Sequence, residues 1–445
     1  MYKLGSLITC DNVTMIDMLK LSIPFNCEFL LETEQNSSGE CVCYVDIKEC
    51  SRRGVSLEAK SVHFTGCEKE LEVSDLRHPY ESLATSFTGM AFKIFQGTKL
   101  RPACVELKAS PAKILQGHNV YGSTNIDTGS EEMIMALYNC YPEFFEMLDI
   151  SNTTLDAIDC TYSAKAKTEL QAKQVINQLK MVANKQMRAS VRNEHETTCY
   201  FSRGSRHVDR KVYLKGCEFN RQLSHLRSLQ EKGDKSYDRV IDVMSDPKLI
   251  NYARNLIRFE AGAKRRYLDE FNIPKKLSDA CQFQREYEKD GRSLIADIWT
   301  KAFTPLLEAL EGQKMNIFND EEVHNTLKRI YMKVTPKGNI SYSKADRVFR
   351  FYRSLVSDGY LSVKDSFSAP RTFYDNLNLL LDSGFSKAQL QNLQGNGKDN
   401  VVPLLQVIEI DFTQQRPSDW VEPVGAISEM YGRGKVDNNV IRLAS

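Results

Sequence analysis

Four short stretches of this chain alternate polar and apolar residues with a period of two, and each carries a charged residue opposite its apolar neighbours. That period belongs to a strand, whose successive side chains point to opposite faces of a sheet. In Asp209-Arg210-Lys211-Val212-Tyr213-Leu214-Lys215-Gly216, Val212 and Leu214 point one way and Lys211, Tyr213 and Lys215 the other. In Cys104-Val105-Glu106-Leu107-Lys108, Glu106 opposes Val105 and Leu107. In Asp156-Ala157-Ile158-Asp159-Cys160-Thr161-Tyr162, Asp159 shares a face with Thr161, while Asp156 falls opposite as a strand-start residue. In Leu256-Ile257-Arg258-Phe259-Glu260-Ala261, Glu260 lies with Arg258, away from Ile257 and Phe259. The expected fold is α+β: an antiparallel sheet with helices on one face, the other face left to hold polar groups.

Other segments fill in this frame. Met15 to Glu32 reads as an apolar segment, and Cys41 to Ile47 as a strand whose partner is expected near Val62 to Phe64. Ser86 to Phe95 and Ala103 to Lys108 are two further strands. Glu131 to Leu148 reads as a helix broken near Pro142. In Glu169 to Asn184, Ala172, Val175, Ile176, Leu179 and Val182 form one helical stripe that suits a sheet face. Cys199 to Phe201 and Lys211 to Leu214 form a hairpin around the basic turn Arg203-Gly204-Ser205-Arg206-His207.

Beyond Gly312 the pattern becomes helical, over 320–330, 344–358 and 371–383. Ser357-Asp358-Gly359-Tyr360 reads as a helix stop followed by a short extended piece. Arg371-Thr372-Phe373-Tyr374 opens the next helix, and the helix-turn-helix arrangement suits either a DNA-reading module or a packing platform. The expected organisation is an N-terminal extension at 1–14, a catalytic domain over 15–312 and a C-terminal helical domain over 313–445.

A formal net charge of +1 gives no global attraction to nucleic acid, so a DNA site requires local concentration of charge. Such a concentration occurs between Lys180 and Arg227. Twelve cysteines, no signal-peptide pattern and no long apolar run lead us to expect reduced thiols in a cytosolic compartment, away from membranes. Cys41-Val42-Cys43 lacks a second pair at zinc spacing.

Carboxylates converging from Glu106, Asp159 and Glu260 suit a hard cation, Mg²⁺ or Mn²⁺, that also accepts a phosphate oxygen. A tyrosine, with an ordinary pKa of roughly 10, needs cationic neighbours or a metal to become a nucleophile. Lys211 and Lys215 are candidates to stabilise the Tyr213 phenolate. Taken singly, each acid better suits a solvated or salt-bridged strand residue, and Tyr213 also suits a half-buried strand tyrosine among nineteen in the chain.

Longer strings carry a resemblance. Met15-Ile16-Asp17-Met18-Leu19, His78-Pro79-Tyr80-Glu81-Ser82-Leu83, Lys108-Ala109-Ser110-Pro111-Ala112-Lys113, Gln116-Gly117-His118-Asn119-Val120 and Asn400-Val401-Val402-Pro403-Leu404 resemble the gene II replication initiation family of filamentous bacteriophages. The likeness runs from Met15 onward. The centre is also similar to rolling-circle plasmid initiators. Tyr200-Phe201-Ser202-Arg203 has Ser where Gly is usual there, and Ala157-Ile158-Asp159 lacks that family's arginine. Lys211-Val212-Tyr213-Leu214-Lys215 keeps the tyrosine and final lysine, and Arg258-Phe259-Glu260 matches fully.

The resemblance implies an origin-specific nicking and closing endonuclease that starts and ends rolling-circle replication through a 5′-phosphotyrosyl intermediate. Tyr213 is then the nucleophile, Asp159 and Glu260 hold Mg²⁺ or Mn²⁺, and Glu106 is a third ligand. Arg203, Arg206, Arg210, Arg258 and Arg371 are the expected DNA contacts. His118 is an imidazole candidate or a turn stabiliser, and Tyr200 or a second protomer a source of the second nucleophile. Implied partners are duplex phage origin DNA, single-stranded viral DNA, the host helicase and polymerase, and further copies on DNA, all in the host bacterial cytoplasm. An internal start at Met315 would yield a C-terminal product. The competing reading is a non-catalytic DNA-binding regulator with the same fold.

Overall fold

The computed structural model describes residues 14–32, 43–64, 71–98, 101–166, 168–181, 183–184, 187–188, 197–310, 320–336, 338–393 and 415–425. Eight strands form one sheet: β1 (Met15–Pro24), β2 (Glu81–Leu83), β3 (Met90–Phe95), β4 (Cys104–Ala109), β5 (Thr154–Lys165), β6 (Thr198–Phe201), β7 (Val208–Leu214) and β8 (Leu256–Lys264). Their order is β6-β7-β8-β5-β1-β4-β3-β2, and neighbours run antiparallel. The apolar segment starting at Met15 is therefore a central strand, flanked by β5 and β4.

Two irregularities in the β1–β5 pairing decide which side chains face which way. Ile16 and Leu19 are both buried in the core although three residues apart, which strict alternation forbids. A bulge between Ile16 and Met18 resolves the conflict and leaves Asp17 as the extra residue. Likewise Leu155 and Ile158 both face the core, and the register shifts between Lys20 and Leu21 opposite them. Asp156 thus does not sit opposite Asp159 as alternation predicts; it accepts a 2.5 Å hydrogen bond from Ser22 Oγ.

One sheet face packs against helices, as expected. Val175, Ile176 and Leu179 of the Glu169–Met181 helix join Ile158, Tyr162, Ile257 and Phe259 in the main core. The Leu294–Leu310 helix adds Trp299, whose Nε1 donates to the Phe259 carbonyl at 3.0 Å and whose ring stacks on Phe303. The helix broken at Pro142 is present as Ile126–Cys140 and Pro142–Phe145.

The other face is only partly open. The helices Lys215–Glu231, Asp238–Met244 and Pro247–Ala253, inserted between β7 and β8, form their own apolar cluster with Val120. Arg258, on that second face, reaches the Asn119 and Val120 carbonyls, so the 117–123 loop stands above the sheet there.

Cys43–Val45 pairs with Leu30–Glu32, while Glu58–Phe64 pairs with Leu71–Arg77, so the expected partnership of 41–47 with 62–64 is not formed. Each segment takes its nearer neighbour, a shorter loop to close.

Residues 320–393 build a second core from Val323, Leu327, Val348, Tyr352, Leu355, Phe373, Leu377 and Leu380. Its helices Asp320–Tyr331, Ser343–Asp358 and Pro370–Asp382 follow the sequence spacing. Gly359, at φ +81°, ends one helix, but Tyr360–Ser366 is another helix and not an extended piece. Its Val363 fits the same core, and burying that side chain favours the helix. Ala388, from the short Lys387–Gln391 helix, belongs instead to the main core and docks this bundle onto the sheet domain. The Gly312 boundary, Met315, Cys41 and residues 1–13 lie outside the described residues.

Trp299→Ala is expected to cost about 3–5 kcal/mol, the range for deleting a buried large aromatic. Urea unfolding midpoints of the wild-type and variant chains measure it.

Candidate active site

In an antiparallel sheet, residues directly opposite each other share a face. One cross-strand row reads Tyr200, Lys211, Glu260, Thr161. The next reads Thr198, Tyr213, Arg258, Ser163, and a third reads Asp209, Gly262, Asp159. The fold thus brings Tyr213, Lys211, Glu260, Asp159 and Tyr200 to one face. Lys211 Nζ lies 3.7 Å from Glu260 Oε2 and 4.0 Å from the centre of the Tyr213 ring.

The bulge adds an acid that alternation does not find. Asp17 accepts a 2.6 Å hydrogen bond from Asn119 Nδ2 and lies 3.9 Å from Arg258 Nη1. Its negative charge acts on Tyr213, Asp159 and Glu260 alike. The one signal available in the sequence is a carboxylate interrupting the apolar run Met15-Ile16-Asp17-Met18-Leu19.

The acids repel one another in a poorly solvated place. Burial, then the Glu260 charge, hold the Asp159 carboxyl well above the usual carboxylate range. Burial, then Asp17, raise Glu260. Tyr213 is 4% exposed, and burial followed by Glu260 and Asp17 pushes its phenol well above its ordinary value. Tyr213 is therefore buried, with the Glu260 and Asp17 charges acting on its phenol.

Among the described residues, no three His, Cys, Asp or Glu side chains gather into a ready metal-binding group. Two observations nevertheless fit a hard cation. Asp159 Oδ1 is buried without a hydrogen-bond partner. Gly262, between Asp209 and Asp159, has no Cβ, and carboxylate oxygens take that room: a Cβ there would overlap Asp209 Oδ1 and come within 3.2 Å of Asp159 Oδ1. Glu106 does not reach these oxygens. It pairs across with Ser22, whereas Asp159 pairs with Met18, which separates the two by on the order of 15 Å at ordinary strand spacing. Its carboxylate is taken up by Lys20 at 2.7 Å, Arg101 at 3.2 Å and Tyr80 Oη at 2.7 Å.

Several further expectations change. Lys215 is not a strand residue: it opens the 215–231 helix, fully buried, donating to Asn119 Oδ1 at 2.7 Å and Glu218 Oε2 at 2.5 Å. Burial lowers its pKa to about 8, against the opposing pull of Glu218. Arg258 is fully buried, bonded to the Asn119 and Val120 carbonyls and to Ser163 Oγ at 3.2 Å, so it is a clamp and not a DNA contact. Arg210 alternates to the helix-covered face and donates to the Ala302 carbonyl, which removes it from DNA as well.

His118 is buried; its Nδ1 accepts from Val120 N at 3.3 Å, and burial, then Lys215 and Arg258, depress it to about 3. That is the turn-stabilising role. Arg203 and Arg206 are exposed on the β6–β7 turn, Arg203 4.9 Å from the Tyr200 ring. Arg371, with a 93% exposed side chain, has Asp375 at 3.9 Å.

By sequence, the chain matches known phage replication proteins. Residues 15–290 match the N-terminal region of the phage replication-associated protein family, and residues 334–426 match the C-terminal region of the same family. The replication-associated protein of Salmonella phage IKe is 41% identical over 412 residues, spanning 92% of this chain and 97% of the relative. That of Enterobacteria phage M13 is 40% identical over 413 residues, 92% of this chain and 99% of the relative. A rolling circle replication initiator protein from Geobacillus stearothermophilus aligns at 12% identity and a TM-score of 0.22, over 56% of this chain and 74% of its own, too loosely to bear on function. The chain belongs to the gene II family of filamentous-phage replication-associated proteins. Among the described residues, no helix is long and apolar enough to cross a membrane.

The raised acids set a sign for stability against pH. Asp159 and Glu260 bind protons more tightly folded than unfolded, so their contribution is greatest below about 3.8–4.5 and is lost as pH rises through their folded values. Without divalent cation, Asp159→Asn is therefore expected to be more stable than wild type at pH 7, with the gain shrinking as pH falls towards 4. Urea midpoints across that range in chelator measure it; equal midpoints at pH 7 would remove the repulsion argument.

Proposed function

We propose that this chain is a metal-dependent nicking and closing endonuclease that acts on a phage replication origin and initiates rolling-circle synthesis. Membership of the replication-associated family supports the replication role. The observation that carries the chemistry is Tyr213 on one sheet face with Lys211, Glu260, Asp159 and Asp17.

In this reading Tyr213 Oη attacks one phosphodiester of the viral strand, and the P–O3′ bond breaks. The strand's 5′-phosphate stays on the tyrosine and a free 3′-hydroxyl is left to prime a host polymerase. A bound Mg²⁺ or Mn²⁺ at Asp159, Glu260 and Asp17 would supply charge that neutralises these acids and a non-bridging phosphate oxygen. Lys211, against the Tyr213 ring, offsets the phenolate. Tyr200 neighbours Lys211 across β6–β7 and is half-buried, which suits a second nucleophile for strand closure. Arg203 and Arg206 extend the face with exposed positive charge for the backbone phosphates, and Arg371 offers a further contact from the helical domain. The domain beyond residue 312 then reads duplex origin DNA, with the host helicase, polymerase and further copies of the chain as partners in the bacterial cytoplasm.

Tyr213→Phe is expected to abolish nicking of supercoiled origin DNA and the DNA-linked protein band, with origin binding retained. Chelator is expected to stop the wild-type reaction and added Mg²⁺ to restore it, while Asp159→Asn and Glu260→Gln raise the Mg²⁺ needed for half-maximal rate. Normal nicking by the Phe variant would move the nucleophile elsewhere. A wild-type chain that binds the origin and never nicks would favour the non-catalytic regulator.

A further inference from the structure

Residues 415–425, which follow the helical domain in sequence, lie against the sheet domain beside the candidate site. Gln415 Oε1 accepts from Ser163 N at 2.7 Å, and its Nε2 donates to Ser163 O at 2.8 Å. Ser163 lies just past the point where the described β1–β5 pairing starts, at Met15 opposite Thr161. Arg416 Nε donates to the Gly122 carbonyl at 2.9 Å, and its guanidinium lies 4.2 Å from the Trp420 ring. Trp420 Nε1 donates to Gln116 Oε1 at 3.1 Å, and Ser123 Oγ donates to Glu422. Gln116 in turn donates to the Tyr121 carbonyl at 2.5 Å.

These contacts converge on one loop. Between Gln116 and Ser123 lie Asn119 and Val120, whose carbonyls hold the buried Arg258. Asn119 is also a relay: its Oδ1 accepts from Lys215 Nζ at 2.7 Å while its Nδ2 donates to Asp17 Oδ1 at 2.6 Å. A shift of the loop therefore moves Asp17 relative to Asp159, Glu260 and Tyr213. Ser163, gripped by Gln415, accepts from Arg258 Nε and stands in the same cross-strand row as Tyr213.

We propose that the 415–425 segment is a strap that completes the active site, with Gln415, Arg416 and Trp420 as positioning residues acting through the 116–123 loop and Asn119 on Asp17. The proposal rests on the metal-dependent nicking read above. It makes the sheet domain dependent on the far end of the chain: the helical domain and strap are then needed for chemistry as well as for DNA.

The test uses the full chain with Arg416→Ala, Arg416→Lys, Trp420→Ala and Gln415→Ala. Mn²⁺ binding by calorimetry without DNA is expected to weaken about 10-fold in the alanine variants, as for loss of groups that orient metal ligands. Nicking at saturating origin DNA is expected to slow by about 10–100-fold, with half-saturating DNA unchanged and Arg416→Lys recovering part of both losses. If Arg416→Ala does not fold, Gln415→Ala, which removes the two bonds to Ser163, carries the test. Wild-type Mn²⁺ affinity and nicking rate in folded strap variants would overturn the proposal. Tyr213→Phe runs in parallel: if it alone nicks normally, the nucleophile is wrong and the strap stands. Should the wild-type chain not nick at all, the function fails and the Mn²⁺ titration still decides the strap.

Discussion

A guanidinium with no access to water ties the working face of this molecule together. Arg258 lies in the middle of an eight-stranded sheet, and its side chain is closed over by the loop that it holds. Burying such a charge costs several kcal/mol unless its hydrogen bonds are met. Here Ser163 and two backbone carbonyls meet them, with Asp17 close by. Removing the arginine would leave those carbonyls without a partner and release the loop that carries Asn119. Arg258 also sits next to Tyr213 in the same row, one of the few positive charges beside that phenol.

Around it, the face is built from groups that do not suit one another in isolation. Burial, and after it the negative charge gathered from Asp17, Asp159 and Glu260, raises the proton affinity of Asp159 and Glu260, and Tyr213 feels the same surroundings. Lys211 and the buried Lys215 offset part of this, but Lys215 spends its charge on Glu218 and Asn119. Clusters of titratable groups pushed away from their ordinary values are characteristic of working sites. Over Gly262 the Asp209 and Asp159 oxygens come close, one Asp159 oxygen without a hydrogen-bond partner, while Lys264 attends Asp209 at 3.5 Å.

The strap and the Lys387–Gln391 helix give the helical domain two attachments to the sheet domain, one in the main core and one at the site. A chain organised in this way couples its distal residues to the geometry around Tyr213, although its two cores are separate.

The alternation of short segments around Glu106, Asp159, Tyr213 and Glu260 by itself determined the antiparallel sheet, its polar face, and the company of Tyr213, Lys211, Asp159 and Glu260. Period-two patterning is local physics: it fixes which side of its own strand a residue occupies. It does not fix where the strand lies along its neighbour, and so it grouped Glu106 with acids that register sets far away. Nor does it foresee a bulge, which breaks the period and turned Asp17 towards the site. Burial is equally non-local: Arg258 and Lys215 read as surface cations until a loop and a helix start close over them. Only the tertiary structure could decide these points, because each depends on the balance of packing and hydrogen bonding between segments distant in the chain.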